Sequence, residues 1–267
     1  MTNTNHDNRH NTGPFDIIGD VHGCGDELEE LLARLGWHIE LRGQGEKRRV
    51  DVITPGPNRI IFVGDLVDRG PRSPDVLRIV MTLVDSGRAL CVPGNHDDKF
   101  IRWLKGNPVK LAHGLEATTT QMAAEPQTFH KSVQQFLTHL PPYLWLDDGK
   151  LVVAHAGIMG NMIGHTSDRI RSFCLYGDTD GKTDENGLSV RYNWAALYHG
   201  LSLIVYGHTP VAEPTSVHNT LCIDTGCCFG GALTALRYPD HTFVTVPARK
   251  TYATRARPFG LPPARAP

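Results

Sequence analysis

Three apolar, β-branched runs each end in a short loop dense with metal-ligating side chains, and this repetition constrains the chain more than any other feature. Phe15 to Ile18 leads into Gly19-Asp20-Val21-His22-Gly23, Ile60 to Val63 into Gly64-Asp65-Leu66-Val67-Asp68-Arg69-Gly70, and Ala89 to Val92 into Gly94-Asn95-His96-Asp97. Short apolar runs bounded by polar loops read as buried strands. Open sheets bind ligands in the crevice outside the carboxyl ends of their strands, so the three loops are expected to converge on one spot. They would bring Asp, His and Asn side chains there, with one Arg.

The intervening segments supply the helical half of an α/β pattern. Leu28, Leu31, Leu32 and Leu35 recur at i, i+3, i+4 and i+7, Asp26 can cap the helix they define, and Gly36 stops it. Residues 38–58 read as a charged, hairpin-like insertion closed by Pro55-Gly56-Pro57. Pro74 suits a first helical turn, with Val76, Leu77, Val80, Leu83 and Val84 as its apolar stripe up to Gly87. Successive strand–loop–helix units predict an α/β fold. Residues 98–140 are helical in pattern, an excursion beside the site. Leu151 to Ala154 and Leu203 to Tyr206 read as strands ending in His155-Ala156-Gly157 and Gly207-His208-Thr209-Pro210. Leu221 to Ile223, Ala232 to Arg237 and Thr242 to Val246 read as paired strands that would build a second sheet from the second half of the chain.

One domain is expected over residues 15–248, since a 267-residue chain with 40% hydrophobic and 21% charged content can bury a full core. Residues 1–14 read as a disordered polar tail, and 249–267 as a flexible, Pro-rich one. The second tail carries Arg249, Lys250, Arg255, Arg257 and Arg265 with no acid; contact with a phosphate backbone is its alternative reading. Net charge is −1, so no global field recruits nucleic acid or an anionic membrane. No apolar run of about 18 residues and no charged-then-apolar leader occurs, which predicts a cytoplasmic protein without membrane contact. Nothing in the sequence calls for an obligate protein partner. Cys24, Cys91, Cys174, Cys222, Cys227 and Cys228 are spread too thinly for a disulfide scaffold. Cys227 and Cys228 are adjacent, which raises a redox or metal reading, but no second pair stands at a zinc-finger spacing. The cysteines are expected to be buried small hydrophobes.

Asp20 and His22 alternate on an extended segment, while Asp65, Asn95, His155 and His208 each stand just past a strand. A mixed carboxylate, amide and imidazole set suits Mn²⁺, Fe²⁺, Zn²⁺ or Ni²⁺ better than Mg²⁺ or Ca²⁺. Six such ligands are too many for one tetrahedral zinc and fit two metals sharing a carboxylate. Ten of the 14 histidines lie outside these motifs and are given no role.

Asp20-x-His22, Gly64-Asp65-x-x-Asp68-Arg69-Gly70, Gly94-Asn95-His96-Asp97, His155-Ala156-Gly157 and Gly207-His208, in this order, resemble the signature of the phosphoprotein-phosphatase branch of the calcineurin-like metallophosphoesterases. The likeness covers roughly residues 15–245. Asp97, where the eukaryotic Ser/Thr phosphatases usually carry Glu, points to the bacterial side of that branch, as do the phrases Phe62 to Pro71, Cys91 to Lys99 and Cys222 to Tyr238, which resemble the phosphatase domain of bacterial polynucleotide kinase-phosphatase. They are also similar to stand-alone bacterial dinucleoside tetraphosphatases. No Gly-x-x-x-x-Gly-Lys-Ser/Thr loop is present, so a kinase half is lacking.

The resemblance implies a four-layer α/β sandwich with two central mixed sheets flanked by helices, and a binuclear-metal phosphoric ester hydrolase. Asp20 and His22 would hold one divalent ion, Asn95, His155 and His208 the other, with Asp65 bridging; manganese is the expected metal, with Ni, Fe or Zn as options. It implies in-line attack on phosphorus by a metal-bridging hydroxide, with Arg69 and Asn95 on the phosphate, His96 protonating the leaving oxygen and Asp68 orienting its ring. A salt bridge between Asp68 and Arg69 that only shapes the loop is the alternative for that pair. Pro93 stands where phosphoprotein phosphatases commonly have a phosphate-binding Arg, and Pro210 replaces a second His found in many relatives. Arg191 and Asp224 lie in stretches resembling the bacterial group and are candidate substitute contacts to substrate, a turn-capping role being equally open for Asp224. The expected substrates are phosphate esters or anhydrides of nucleotides or nucleic-acid ends. A dinucleoside tetraphosphatase, a bacterial protein phosphatase and a non-catalytic metal-binding module are the alternatives.

Overall fold

The computed structural model describes residues 6–185 and 188–265. The chain runs β1 (Phe15–Ile18), α1 (Gly25–Arg34), β2 (His38–Arg42), β3 (Arg49–Thr54), β4 (Arg59–Phe62), α2 (Ser73–Asp85), β5 (Ala89–Cys91), α3 (Asn95–Leu104), α4 (Leu115–Ala123) and α5 (Gln127–Thr138). It continues through β6 (Tyr143–Leu146), β7 (Leu151–Ala154), α6 (Asp168–Tyr176), β8 (Asp178–Thr183), β9 (Ser189–Tyr192), β10 (Leu203–Tyr206), β11 (Thr215–Val217), β12 (Thr220–Cys222), β13 (Ala232–Tyr238) and β14 (Thr242–Pro247).

One sheet has the order β14-β13-β1-β4-β5 and the other β11-β12-β10-β7-β6; β2–β3 and β8–β9 form separate hairpins. β1, β4 and β5 are parallel neighbours, as are β7, β10 and β12. Strand alternation assigns the layers. Phe15, Ile17, Ile61, Val63 and Val92 turn from the first sheet toward Leu151, Val153, Val205 and Leu221 of the second. Ile18, Ile60, Phe62 and Cys91 face the other way, against Leu28, Leu31 and Leu32 of α1 and Val76, Leu77 and Val80 of α2. Val152, Ile204 and Cys222 back onto Ile170 and Cys174 of α6 and onto Trp194. Helices, sheet, sheet, helix make the four layers. Each fully buried large apolar side chain contributes about 1.5–3 kcal/mol, so the fourteen in the inter-sheet layer outweigh a few strained loop residues at about 1–3 kcal/mol each.

Four expectations need correction. β13 and β14 join the first sheet, antiparallel to β1, and not the second. Asp26 does not cap α1: the helix starts from Cys24, and Asp26 sits in its first turn, paired with Arg72 and Arg249. Residues 6–11 are ordered, because they satisfy the backbone of edge strand β6 and the turn after it: Asn8 N–H donates to Trp145 O and Trp145 N–H to His6 O, both at 2.8 Å, and Asp147 N–H donates to Asn11 O at 2.9 Å. Residues 1–5 of that expected tail lie outside the described residues.

The C-terminal segment is likewise held. Gly260 N–H donates to Pro210 O and Asn193 N–H to Pro263 O, both at 2.9 Å. Its arginines are engaged by carboxylates from elsewhere, Arg249 with Asp26, Arg257 with Asp184 and Arg265 with Asp178, while Arg255 lies over Phe259. Exposed pairs of this kind are worth little individually; the backbone hydrogen bonds do most of the fixing, and few of these charges are left to meet a phosphate backbone. Residues 266–267 lie outside the described residues.

Candidate active site

The loops that follow β1, β4, β5, β7, β10 and β12 leave the same end of the two facing sheets and meet there. Asp20, His22, Asp65, Asp68, His96, His155, His208 and Asp224 are all buried. Among the described residues ten non-glycine positions have positive φ, and five of them lie in these loops: His22 (45°), Asp65 (49°), Asp68 (75°), Arg69 (71°) and His208 (68°). A left-handed backbone is unfavourable for these side chains, and its concentration here marks loops held in place by what surrounds them.

Asp65 is at the centre. Its Oδ1 accepts the His96 N–H at 2.9 Å, and its Oδ2 lies 3.4 Å from His22 Nε2 and 3.5 Å from His155 Nε2. His22 Nδ1 donates to Val67 O at 2.9 Å and His155 Nδ1 to Val63 O at 3.0 Å. A carbonyl only accepts, so each ring keeps its Nε2 lone pair turned toward Asp65. His155 Nε2 also lies 3.0 Å from His208 Nδ1 and 3.2 Å from Asn95 Oδ1. Asp20 receives the His208 N–H on Oδ2 at 3.0 Å.

These groups fit divalent cations. Burial holds the His22 imidazole down to about 3 and also depresses His155 and His208, keeping all three in the neutral, ligating form. Asp20 is pushed well up by burial and by the Asp224 and Asp65 carboxylates beside it, a crowding of like charge that a cation reverses. Asp20 Oδ1 and His208 Nε2 are buried without a hydrogen-bond partner. A Cβ on Gly207 would collide with Asp20 Oδ1, and one on Gly94 with Asp65 Oδ1, so both carboxylates are seated directly on glycine backbone. Two trios with all donor atoms within 4.8 Å share Asp65: His22–Asp65–His96 and Asp65–His155–His208.

Beside the shared carboxylate, Asp68 and Arg69 point to different partners and make no salt bridge with each other. Asp68 Oδ2 accepts from His96 Nδ1 at 2.6 Å and Oδ1 from the Thr118 hydroxyl at 2.7 Å. Burial pushes the Asp68 carboxyl up to about 7 and the His96 imidazole down, with Arg69 adding to the latter. Arg69 Nη2 donates to His96 Nε2 at 2.8 Å, Nη1 faces His22 Nε2, and the guanidinium lies 4.8 Å over the Phe229 ring. Asp97, also fully buried, accepts Leu66 N–H at 3.0 Å and Gly94 N–H at 2.9 Å, tying the second and third loops together.

Residues 13–212 match the family profile of the calcineurin-like phosphoesterases. The chain belongs to that family. The phosphoesterase is therefore a metal-dependent hydrolase, and divalent metals are part of its chemistry. It is 47% identical over 251 residues to the asymmetrical bis(5'-nucleosyl)-tetraphosphatase PrpE of Anoxybacillus flavithermus, covering 92% of this chain and 99% of that protein. To the protein of the same description from Bacillus subtilis it is 45% identical over 250 residues, with the same coverage. Among solved structures it shares its fold with a diadenosine tetraphosphatase-like protein (TM-score 0.64, 23% identity, 91% of this chain and 96% of the other). A Saccharomyces cerevisiae serine/threonine phosphatase similar to human PP5 follows (TM-score 0.59, 14% identity, 92% and 84%). No helix among the described residues is long and apolar enough to cross a membrane.

The phosphoesterase also brings in one residue that sequence reasoning missed, beside two that it named. Thr118, in α4, binds both the Asp68 carboxylate and the Asp68 N–H, at 2.7 and 2.9 Å; a threonine in a weakly patterned helix gives no signal of this. Arg191 lies on β9 with Nη1 3.4 Å from His208 O. Burial and the neighbouring Arg257 lower its guanidinium to about 10. It lines a narrow cleft beside His208, with Tyr176, Trp194, Leu261 and Pro262 among its walls. Asp224 does make a turn, accepting Gly226 N–H at 3.0 Å, and burial pushes its carboxyl up to about 6.

Proposed function

We propose that the chain hydrolyses dinucleoside tetraphosphates asymmetrically, to a nucleoside triphosphate and a nucleoside monophosphate, in the cytoplasm, with two divalent metal ions. The observation that carries the two-metal reading is Asp65 Oδ2, flanked at 3.4 and 3.5 Å by imidazole nitrogens from two different loops. The substrate class rests on the names of relatives 45–47% identical over nearly their whole length. Asp20 and His22 would hold one ion, Asn95, His155 and His208 the other, and Asp65 both. When bound, the ions neutralise phosphate charge and lower the pKa of water.

The chain's own residues do the rest. Arg69, held between two imidazoles and an aromatic face, is ready to bind two phosphate oxygens through its fork. His96 has Nδ1 tied to Asp68 and Nε2 against Arg69; once phosphate draws Arg69 away, the ring in its protonated form would turn Nε2–H toward the leaving oxygen and supply the proton. Asp68 keeps the ring in that orientation and stabilises its charged form. Arg191 borders the cleft next to His208, where the rest of a nucleotide would extend from the phosphate, while Asp224 stands beside Asp20.

The test is a substrate panel on metal-stripped enzyme resupplied with single ions: diadenosine tetraphosphate, a 3′-phosphorylated RNA, a 2′,3′-cyclic nucleotide, a phosphopeptide and an aryl phosphate. The tetraphosphate is expected to have the highest kcat/KM, releasing ATP and AMP; two ADP, or a faster phosphopeptide, would overturn the reading. A mixed oxygen and nitrogen donor set is expected to work best with Mn²⁺ or Ni²⁺ and poorly with Mg²⁺, which binds imidazole weakly. Equal rates with Mg²⁺ alone would count against it. Gly207→Ala drives a methyl into Asp20 Oδ1 and is expected to weaken Mn²⁺ binding by about 10–100-fold. Calorimetric titration checks this, and unchanged affinity would take Asp20 out of the donor set.

A further inference from the structure

A second cluster of donor atoms lies behind the site, outside everything the hydrolysis uses. We infer that Cys24, Glu27 and Cys227 hold a third divalent ion of zinc type, which staples the first and last site loops to the C-terminal segment. The two Sγ atoms and a Glu27 carboxylate oxygen lie within 4.8 Å of one another. All three residues are buried, Cys24 and Glu27 completely. Cys24 is the N-cap of α1 and Glu27 follows one turn on, an i, i+3 spacing that puts both on one helix face. Cys227 arrives from the tight turn after Asp224, where Gly230 N–H donates to Cys227 O at 3.1 Å.

Glu27 is the second, independent sign of a cation. Its Oε1 accepts the Arg249 N–H at 2.9 Å and the Tyr252 hydroxyl at 2.7 Å, while Oε2 is buried with no partner. Both donors are neutral, so the carboxylate has no counter-charge at hydrogen-bond distance. Buried carboxylates are normally paired or coordinate a metal. Two sulfurs and one carboxylate oxygen suit zinc, whose bonds of about 2.0–2.3 Å place tetrahedral donors roughly 3.3–3.8 Å apart. The cluster needs to contract by about an ångström to reach that. Two thiolates, one carboxylate and a dication leave one net negative charge at the N-terminal turn of α1, where the helix dipole favours it.

The adjacent cysteines thus divide their tasks. Cys227 faces the cluster, while Cys228 Sγ accepts from Arg69 Nη1 at 3.8 Å and Phe229 lies under the same guanidinium. An ion at Cys227 would fix the turn on which Arg69 rests.

The experiment is Co²⁺ substitution of the full chain, reduced and stripped with a chelator, read by metal count and by the near-ultraviolet thiolate-to-cobalt charge-transfer band. Three ions per chain and the band are expected in the wild type. Asp65→Asn should keep the band while losing ions; Cys227→Ser should lose the band and one ion. Should Cys227→Ser not fold, Glu27→Gln keeps both hydrogen bonds to Oε1 and should weaken the band-forming site by about 10–100-fold or more. No band in the wild type, a band that survives in folded Cys227→Ser, unchanged affinity in Glu27→Gln, or a wild-type chain two hydrogens lighter from a Cys24–Cys227 disulfide would each overturn the assignment.

Discussion

Asp65→Asn is expected to reduce turnover of diadenosine tetraphosphate by at least about a thousandfold, or about 4 kcal/mol of barrier. The same change should leave no more than one tightly bound ion at the paired site. The carboxylate has no substitute within reach: Oδ2 lies between His22 and His155, and Oδ1 accepts the His96 N–H. An amide is nearly isosteric but carries no charge, and only one of its ends accepts, so it cannot serve two cations and the His96 amide together. Two tight ions at the paired site in the variant, counted by calorimetry in a Cys227→Ser background that removes the thiolate site, would remove the bridging assignment. Loss of folding would be a different failure, and the melting transition would reveal it. The close seating against Gly94 makes Asn a better probe than a larger residue.

Much of this centre is legible in the sequence because its donors sit one or two residues beyond strands, and a strand end is a place the alternation of apolar residues can find. What pattern cannot supply is which sheet a strand joins. β13 reads as a good strand anywhere, but only its pairing of Leu236 with Ile17 and Ala235 with Ile18 puts it beside β1. The chain ends mislead for a related reason. Asn8 and Asn11 look like solvated polar residues, yet their backbone groups do the pairing, with Trp145 and Asp147. Arg257 and Arg265 look like free charges because their partners, Asp184 and Asp178, are more than 70 residues away in the chain. β8, with the sequence Asp178 to Thr183, has no apolar residue at all and reads as a loop. Cys24 and Glu27 are hidden likewise, since their companion Cys227 is brought to them by the β12–β13 turn.

His96→Ala should separate proton donation from metal binding by its dependence on the leaving group. Departure of a ribose alkoxide without a proton raises the barrier steeply, whereas nitrophenolate leaves unaided. General-acid contributions are typically about 10²–10⁴-fold. A loss in that range is expected on a nucleoside monophosphate ester, beside a loss of less than about tenfold on nitrophenyl phosphate. The tetraphosphate should fall between them, since a polyphosphate oxygen leaves more readily than an alkoxide. Asp68→Asn should follow the same order with smaller losses: Thr118 still anchors the side chain and the 2.6 Å contact with Nδ1 still orients the ring, but the charge that stabilises the protonated imidazole is gone. The geometric trio of His22, Asp65 and His96 makes the opposite outcome concrete. Were His96 a ligand, its removal would cost every substrate alike and release metal, and equal losses on both esters with a falling ion count would identify that role.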